Sequence, residues 1–247
     1  MSDGLWRAPW LWRLLLRFAR VLLFPLCRLR VSGRVPGGGP VILAVNHVSP
    51  VDPVVMMAAC ARVGVVPRFM ATGGVFRAPV LGSVMRACGQ IRVDRRTARV
   101  AEALPAAVAA LREGSAVLVY PEGRIGLDPW MWPERGKTGA ARMAALSGAP
   151  VVPVAQWGTH AVMAYVAPRR LLRSLAYAVW HRPVVRVGFG AAIDVSRDDP
   201  RVATRLIVEG IDAVLTPLRA GEMRVPRFVD RTRPVDLSRV RQRRTAR

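Results

Sequence analysis

Val41-Ile42-Leu43-Ala44-Val45-Asn46-His47-Val48-Ser49-Pro50-Val51-Asp52 is the stretch on which the reading of this chain turns. Its first five residues are an apolar, strand-like run. Ser49-Pro50 then reads as a helix start, with the serine as N-cap and the proline at the first helical position. Asp52 falls in the first helical turn, and His47 stays in the loop before it. Such a turn folds the carboxylate back onto one imidazole nitrogen and leaves the other free to take a proton from a substrate. That is a general base with its orienter, and it asks for no serine or cysteine nucleophile. The same residues also fit a histidine and an aspartate that only cap a helix, because short spacings recur by chance.

A second block lies about seventy residues on. Val117-Leu118-Val119-Tyr120 is a β-prone run that breaks into Pro121-Glu122-Gly123-Arg124, a tight turn with a Glu and an Arg at its tip. Between the two blocks, Gly89-Gln90-Ile91-Arg92-Val93-Asp94-Arg95 reads as another short strand ending in charge. Val151-Val152-Pro153-Val154 follows, introduced by Gly148-Ala149-Pro150. Four strand ends carrying polar groups are how open α/β sheets build sites.

With these blocks in place, the chain resembles the glycerolipid acyltransferases typified by 1-acyl-sn-glycerol-3-phosphate acyltransferase. Their blocks run as a His-x4-Asp motif, a Gly…Arg block, a Pro-Glu-Gly block and a Pro-containing apolar strand, in the order seen here between about Gly33 and Val195. The resemblance implies an α/β fold, a central mixed sheet flanked by helices. It implies that His47 deprotonates a glycerol hydroxyl, which attacks an acyl thioester of coenzyme A or acyl carrier protein, with Asp52 orienting the histidine. Asn46, Arg95, Glu122, Gly123 and Arg124 would contact the substrates, Arg95 and the turn, with Arg95 and Arg124 expected at adjacent strand ends, holding the phosphate of a lysophospholipid acceptor. The thioester is a co-substrate, and neither a further cofactor nor a metal is implied. One departure stands out: the family's third block continues Glu-Gly-Thr-Arg, whereas this chain reads Glu122-Gly123-Arg124-Ile125. Either Arg124 supplies the phosphate contact from one residue earlier, or the acceptor differs.

Gly136-Lys137-Thr138 invites a phosphate-binding P-loop reading, which fails because the required upstream glycine falls on Met131. In the acyltransferases a lysine followed closely by Gly-Ala opens the helix after the third block, and Lys137 with Gly139-Ala140 matches. Lys137 is the only lysine among 38 basic residues. It fits a substrate contact and ordinary surface charge at a helix start equally well.

The chain's 247 residues, 52% of them apolar, suffice for one large buried core. Cys27, Cys60 and Cys88 are widely spaced in apolar stretches, which suits a reducing compartment better than a disulfide framework or a metal site. The net charge of +22 calls for an anionic partner, a nucleic acid or an anionic membrane. The N-terminus decides for the membrane. Trp6, Trp10, Trp12, Phe18 and Phe24 stand among leucines, with Arg13, Arg17 and Arg20 on one helical face. Such a segment lies in the bilayer interface, its apolar side chains dipping and its arginines at headgroup level; the same pattern also fits an ordinary amphipathic helix docked on the protein's own core. No apolar run there is long enough to span a bilayer, and no cleavage site marks a signal peptide.

The expected organisation is an amphipathic interfacial segment over residues 1–32, removable without loss of the fold, an acyltransferase domain over 33–222, and a basic, disordered tail over 223–247. Residues 51–63, 96–112 and 198–219 read as helices and 183–189 as a late strand. Residues 143–168 carry no charged side chain, but Pro150, Pro153 and Gly158 make them a buried strand with loops. The functional expectation is a phospholipid-biosynthetic acyltransferase at the cytoplasmic face of the cell membrane, peripheral or monotopic. Alternatives are a catalytically silent or other-acceptor lipid-binding member of the same fold. Nucleic-acid binding has only the charge in its favour and no motif behind it.

Overall fold

The apolar run at the head of the decisive stretch forms strand β2 (Val41–Val45), all five residues of which are buried. Burial on both faces is what a central strand of a largely parallel sheet demands. The computed structural model describes residues 6–37, 39–94, 102–165, 171–221 and 233. The other strands are β1 (Arg28–Ser32), β3 (Arg68–Thr72), β4 (Ile91–Val93), β5 (Ala116–Val119), β6 (Val151–Trp157) and β7 (Val184–Phe189). Their spatial order is β1-β7-β6-β2-β5-β3-β4. Strands β2 to β6 run parallel, while β7 pairs antiparallel with β6 and β1 parallel with β7. The sheet is mixed, as expected.

Helices cover both faces: α1 (Trp10–Leu23), α2 (Asp52–Val63), α3 (Gly73–Arg77), α4 (Pro79–Ala87), α5 (Ala103–Arg112), α6 (Gly139–Ser147), α7 (Thr159–Val162), α8 (Leu171–His181) and α9 (Pro200–Leu218). The two-residue period of β2 divides its side chains between two cores. Val41, Leu43 and Val45 pack with α1 and α2; Ile42 and Ala44 face α5, α6 and α9. Pro153 sits inside β6 without breaking it. Its N and C=O point toward the β7 side, just beyond the Val154–Phe189 pair that ends β7, so the missing N–H leaves the ladder with β2 intact. The Pro153 carbonyl accepts the Gly190 N–H at 2.9 Å. Helix α9 lies directly on Pro153 because residue 210 is glycine: a Cβ there would come within 2.6 Å of Pro153 Cγ.

Three expectations need correcting here. Helix α2 begins at Asp52, with Pro53 in its first turn, not at Pro50. Ser49 does not cap it, because its hydroxyl donates to the Met163 carbonyl at 2.6 Å. The boundary at residue 32 is also displaced. Residues 28–32 are edge strand β1, and α1 buries Trp12, Leu16, Ala19 and Leu23 in the first core. Trp12 donates its indole N–H to the Pro67 carbonyl at 2.9 Å and packs edge-on against Phe69. Burying such side chains contributes on the order of 2 kcal/mol apiece. Deleting residues 1–28 therefore opens the core instead of trimming an appendage. The third correction concerns β4 and β5, whose ends are not neighbours, since the unforeseen β3 runs between them. Of the expected helix over 96–112, the described part is α5; of the tail over 223–247, only Arg233 is described. No helix among the described residues is long and apolar enough to cross a membrane.

Candidate active site

Strands β6, β2 and β5 lie side by side and end on the same edge, and the loop after β2 carries His47 there. The crevice outside the C-terminal ends of parallel strands is where α/β sheets bind ligands. His47 Nδ1 lies 2.8 Å from Asp52 Oδ2. The same oxygen accepts the backbone N–H groups of Val48, at 2.6 Å, and Ser49, at 2.8 Å. Asp52 thus caps the loop and orients the histidine at once, so the two readings of the spacing are one arrangement. With a carboxylate as acceptor the proton of the neutral ring belongs on Nδ1, and Nε2 keeps the lone pair.

Two groups that the sequence reading missed support this loop, one against the ring and one against its neighbour Asn46. Tyr120, at the end of β5, stacks on the imidazole with centroids 4.2 Å apart and planes at 22°. Burial and the Asp52 charge hold its phenol well above the usual range. Gln156, near the end of β6, locks onto Asn46. The Asn46 side chain donates to the Gln156 carbonyl at 3.0 Å and accepts its N–H at 2.8 Å, while the Gln156 amide donates to the Asn46 carbonyl at 2.9 Å. Asn46 is fully buried. It braces β2 against β6, and every polar atom of its side chain is engaged there.

Glu122 is engaged within the fold in a similar way. It is buried, with Oε1 accepting the His47 N–H at 3.2 Å and Oε2 the Glu134 N–H at 3.2 Å. Burial, and then the neighbouring carboxylates of Glu134 and Asp52, push its carboxyl up from 4.5 to about 8, against the pull of the two backbone donors. Between those two values only the folded chain holds this proton. The contribution of this group to stability is therefore fully present below the lower value, falls as pH rises through that window and is lost above about 8. At about 1.4 kcal/mol per unit, the loss is on the order of a few kcal/mol. Urea unfolding across the window should show this slope in the unmodified protein and a flatter one in Glu122→Gln. Equal slopes would mean that Glu122 does not carry the titration.

Arg124 pairs with the buried Glu134, Nη2 to Oε2 at 3.3 Å, and is one-third exposed. Gly123, at φ 70°, takes the left-handed backbone that the turn requires. Its missing side chain leaves room for Lys137, whose Nζ would lie 3.4 Å from a Cβ at residue 123. The Lys137 N–H donates to the Pro121 carbonyl at 2.8 Å, which ties the lysine to the Pro-Glu-Gly turn. An apolar cavity of about 440 Å³ opens alongside, lined by Met70, Leu104, Val119, Tyr120 and Met143 together with Lys137. Arg95 lies outside the described residues.

Arg233 was assigned to a disordered tail, and it is buried instead. Its guanidinium donates to the carbonyl of Val48, at 2.5 Å, and to that of Gly126, whose own N–H donates to the His47 carbonyl at 2.7 Å. The loop bearing His47 is thus pinned by Asp52 on one side and Arg233 on the other. Arg233→Lys cannot reach both carbonyls as a planar fork does. It should cost on the order of 2–3 kcal/mol in chemical unfolding and lower kcat more than it changes KM; unchanged values would show that the clamp is idle.

A family model described as Acyltransferase matches residues 28–157, more than half of the chain, and spans the His47, Gly89–Arg95 and Pro-Glu-Gly blocks together with β6. Among curated proteins the chain is similar to chloroplastic 1-acyl-sn-glycerol-3-phosphate acyltransferases. That of Brassica napus is 26% identical over 188 residues, covering 74% of this chain and 52% of the relative. That of Arabidopsis thaliana is 24% identical over 188 residues, covering 74% and 50%. The chain thus spans about half the length of these relatives. The crystal structure of the 1-acyl-sn-glycerophosphate acyltransferase PlsC from Thermotoga maritima superposes with a TM-score of 0.69 over 86% of this chain and 81% of that one, at 19% identity, a likeness of fold. With His47 and Asp52 paired at the head of the matched region, the chain belongs to the acyltransferase family.

Proposed function

We propose that the protein transfers a fatty acyl group from an acyl thioester, carried by coenzyme A or acyl carrier protein, to the hydroxyl of a lysophosphatidate-like acceptor. The observation that carries this reading is the His47–Asp52 pair, 2.8 Å apart and stacked on Tyr120. His47 Nε2 takes the hydroxyl proton as the oxygen attacks the thioester carbonyl. The tetrahedral adduct then collapses with loss of the thiolate, which leaves as the thiol once it has received that proton. Asp52 stabilises the imidazolium in between. No acyl-enzyme is required: the three cysteines are buried, and the Ser49 hydroxyl is committed to Met163. The apolar cavity beside Tyr120 suits an acyl chain; Lys137, which lines it, and Arg124 suit the acceptor phosphate, a role the family resemblance also implies for Arg95.

The net charge of +22 and the exposed Trp10, Phe18, Val21 and Phe24 beside Arg13, Arg17 and Arg20 support work on an anionic membrane, with the cytoplasmic face of the cell membrane as the site. A second reading, another acceptor on the same fold, is favoured by Ile125 standing at the family's arginine position and by the pairing of Arg124 with Glu134. A donor-by-acceptor screen decides between them. Lysophosphatidate should be the preferred acceptor, and Lys137→Ala and Arg124→Ala should raise its KM several-fold without matching changes for the thioester. Preference for a neutral glyceride, or equal effects on both substrates, would favour the second reading.

A further inference from the structure

A second cavity, of about 560 Å³, lies between the C-terminal half of α1 and the start of β1. It is lined by Arg17, Arg20, Arg28, Arg62 and Arg182 around Phe24, and no carboxylate lines it. Among the described residues none of these five arginines pairs with an acidic group, whereas Arg68, Arg92 and Arg124 each do. Five converging cations without a counter-charge repel one another unless an anion joins them.

Arg182 is held there at a cost. It adopts φ 43°, a left-handed conformation unusual outside glycine. From it, Nη2 donates to the Phe24 carbonyl at 2.8 Å, and its own carbonyl accepts Arg28 Nε–H at 3.0 Å. The guanidinium lies 4.7 Å over the Phe24 ring, and its Nε is buried without a partner. Cys27 also lines the cavity, and burial pushes its thiol up to about 11 despite the nearby Arg182 charge. A poorly solvated wall of that kind strengthens contacts between guanidinium and phosphate.

Topology places this cavity usefully. Arg28 pairs with Val184, and Arg186 with Trp157, so β1 and β7 begin on the sheet edge where β2, β5 and β6 end. Arg28 and Arg182 thus share an edge with His47. Around them the surface is apolar: Phe24 is 70% exposed, and Trp180, two residues before Arg182, is 86% exposed.

We infer that this cavity seats the headgroup of an anionic phospholipid of the membrane, whose acyl chains run along Phe24 and Trp180. The seat is separate from the acceptor site at His47, and it turns the catalytic edge toward the bilayer. This inference rests on the reading that the protein works at a membrane.

The test is flotation of the full chain with vesicles of phosphatidylcholine, alone or mixed with phosphatidylglycerol. The double variant Arg17→Gln/Arg62→Gln is compared with Arg201→Gln/Arg205→Gln, which removes the same charge from α9. At roughly fivefold per headgroup-level arginine, the first pair should weaken binding to the mixed vesicles by about twenty-five-fold and the second by far less. Transfer to a soluble short-chain acceptor should stay at the unmodified level in both, which shows that they fold. Arg20→Glu should repeat the loss as a single exposed change. Equal losses in the two double variants, or none in the first, would overturn the seat while leaving the membrane reading intact. If the unmodified chain floats with neither vesicle, both fall.

Discussion

Replacing His47 by alanine is expected to lower acyl transfer by about 10²–10⁴-fold, the usual contribution of a positioned general base. The protein should stay folded. The His47 ring is partly exposed, and its removal leaves Asp52 still accepting the backbone N–H groups of Val48 and Ser49. Loss of rate with little change in the urea midpoint is the expected pair of results. Turnover near the unmodified level would show that another group accepts the hydroxyl proton.

Asp52 should be nearly as sensitive, and two substitutions separate its roles. In Asp52→Asn the amide oxygen can take the place of Oδ2 and keep all three donors, but the charge facing the forming imidazolium is gone. A fall in kcat of about 10²–10³-fold is expected, with modest loss of stability. Asp52→Ala also strands two buried backbone N–H groups, at about 1–3 kcal/mol each, and should unfold at clearly lower urea. If the two variants lost equal rate and equal stability, Asp52 would act as a scaffold alone.

What could be read from the sequence was what is local. His47 and Asp52 are five residues apart, and one strand-to-helix turn joins them, so their pairing follows from the residues between. Val41–Val45 and Val151–Val154 announce buried strands by composition alone. What could not be read depends on which strands become neighbours. Asn46 meets Gln156 across 110 residues, and Glu122 meets the His47 N–H across 75. In isolation each residue looks like a polar group at a strand end, free to face a substrate. The sheet order turns both inward. The same ignorance made the ends of β4 and β5 neighbours, because Arg68–Thr72 carries no strong strand signal and β3 separates them.

Arg233 illustrates a different limit. An arginine- and proline-rich stretch without apolar periodicity has the composition of a disordered tail. Nothing in composition can mark the one guanidinium that finds two buried carbonyls beside the active site. The N-terminal helix was legible as amphipathic, but it has two apolar faces. Trp12, Leu16 and Leu23 belong to the core, and Phe18 and Val21 face outward. Only packing distinguishes them.

The central claim, direct transfer from a thioester to a lysophospholipid by His47, is tested most directly by stoichiometry. Purified protein would be given an acyl thioester with and without lysophosphatidate, and released thiol and newly formed ester would be counted together. The account predicts one ester for each thiol with acceptor present, little thiol without it, and loss of both in His47→Ala. Thiol released as fast without acceptor, or an acyl group retained covalently on the protein, would contradict it.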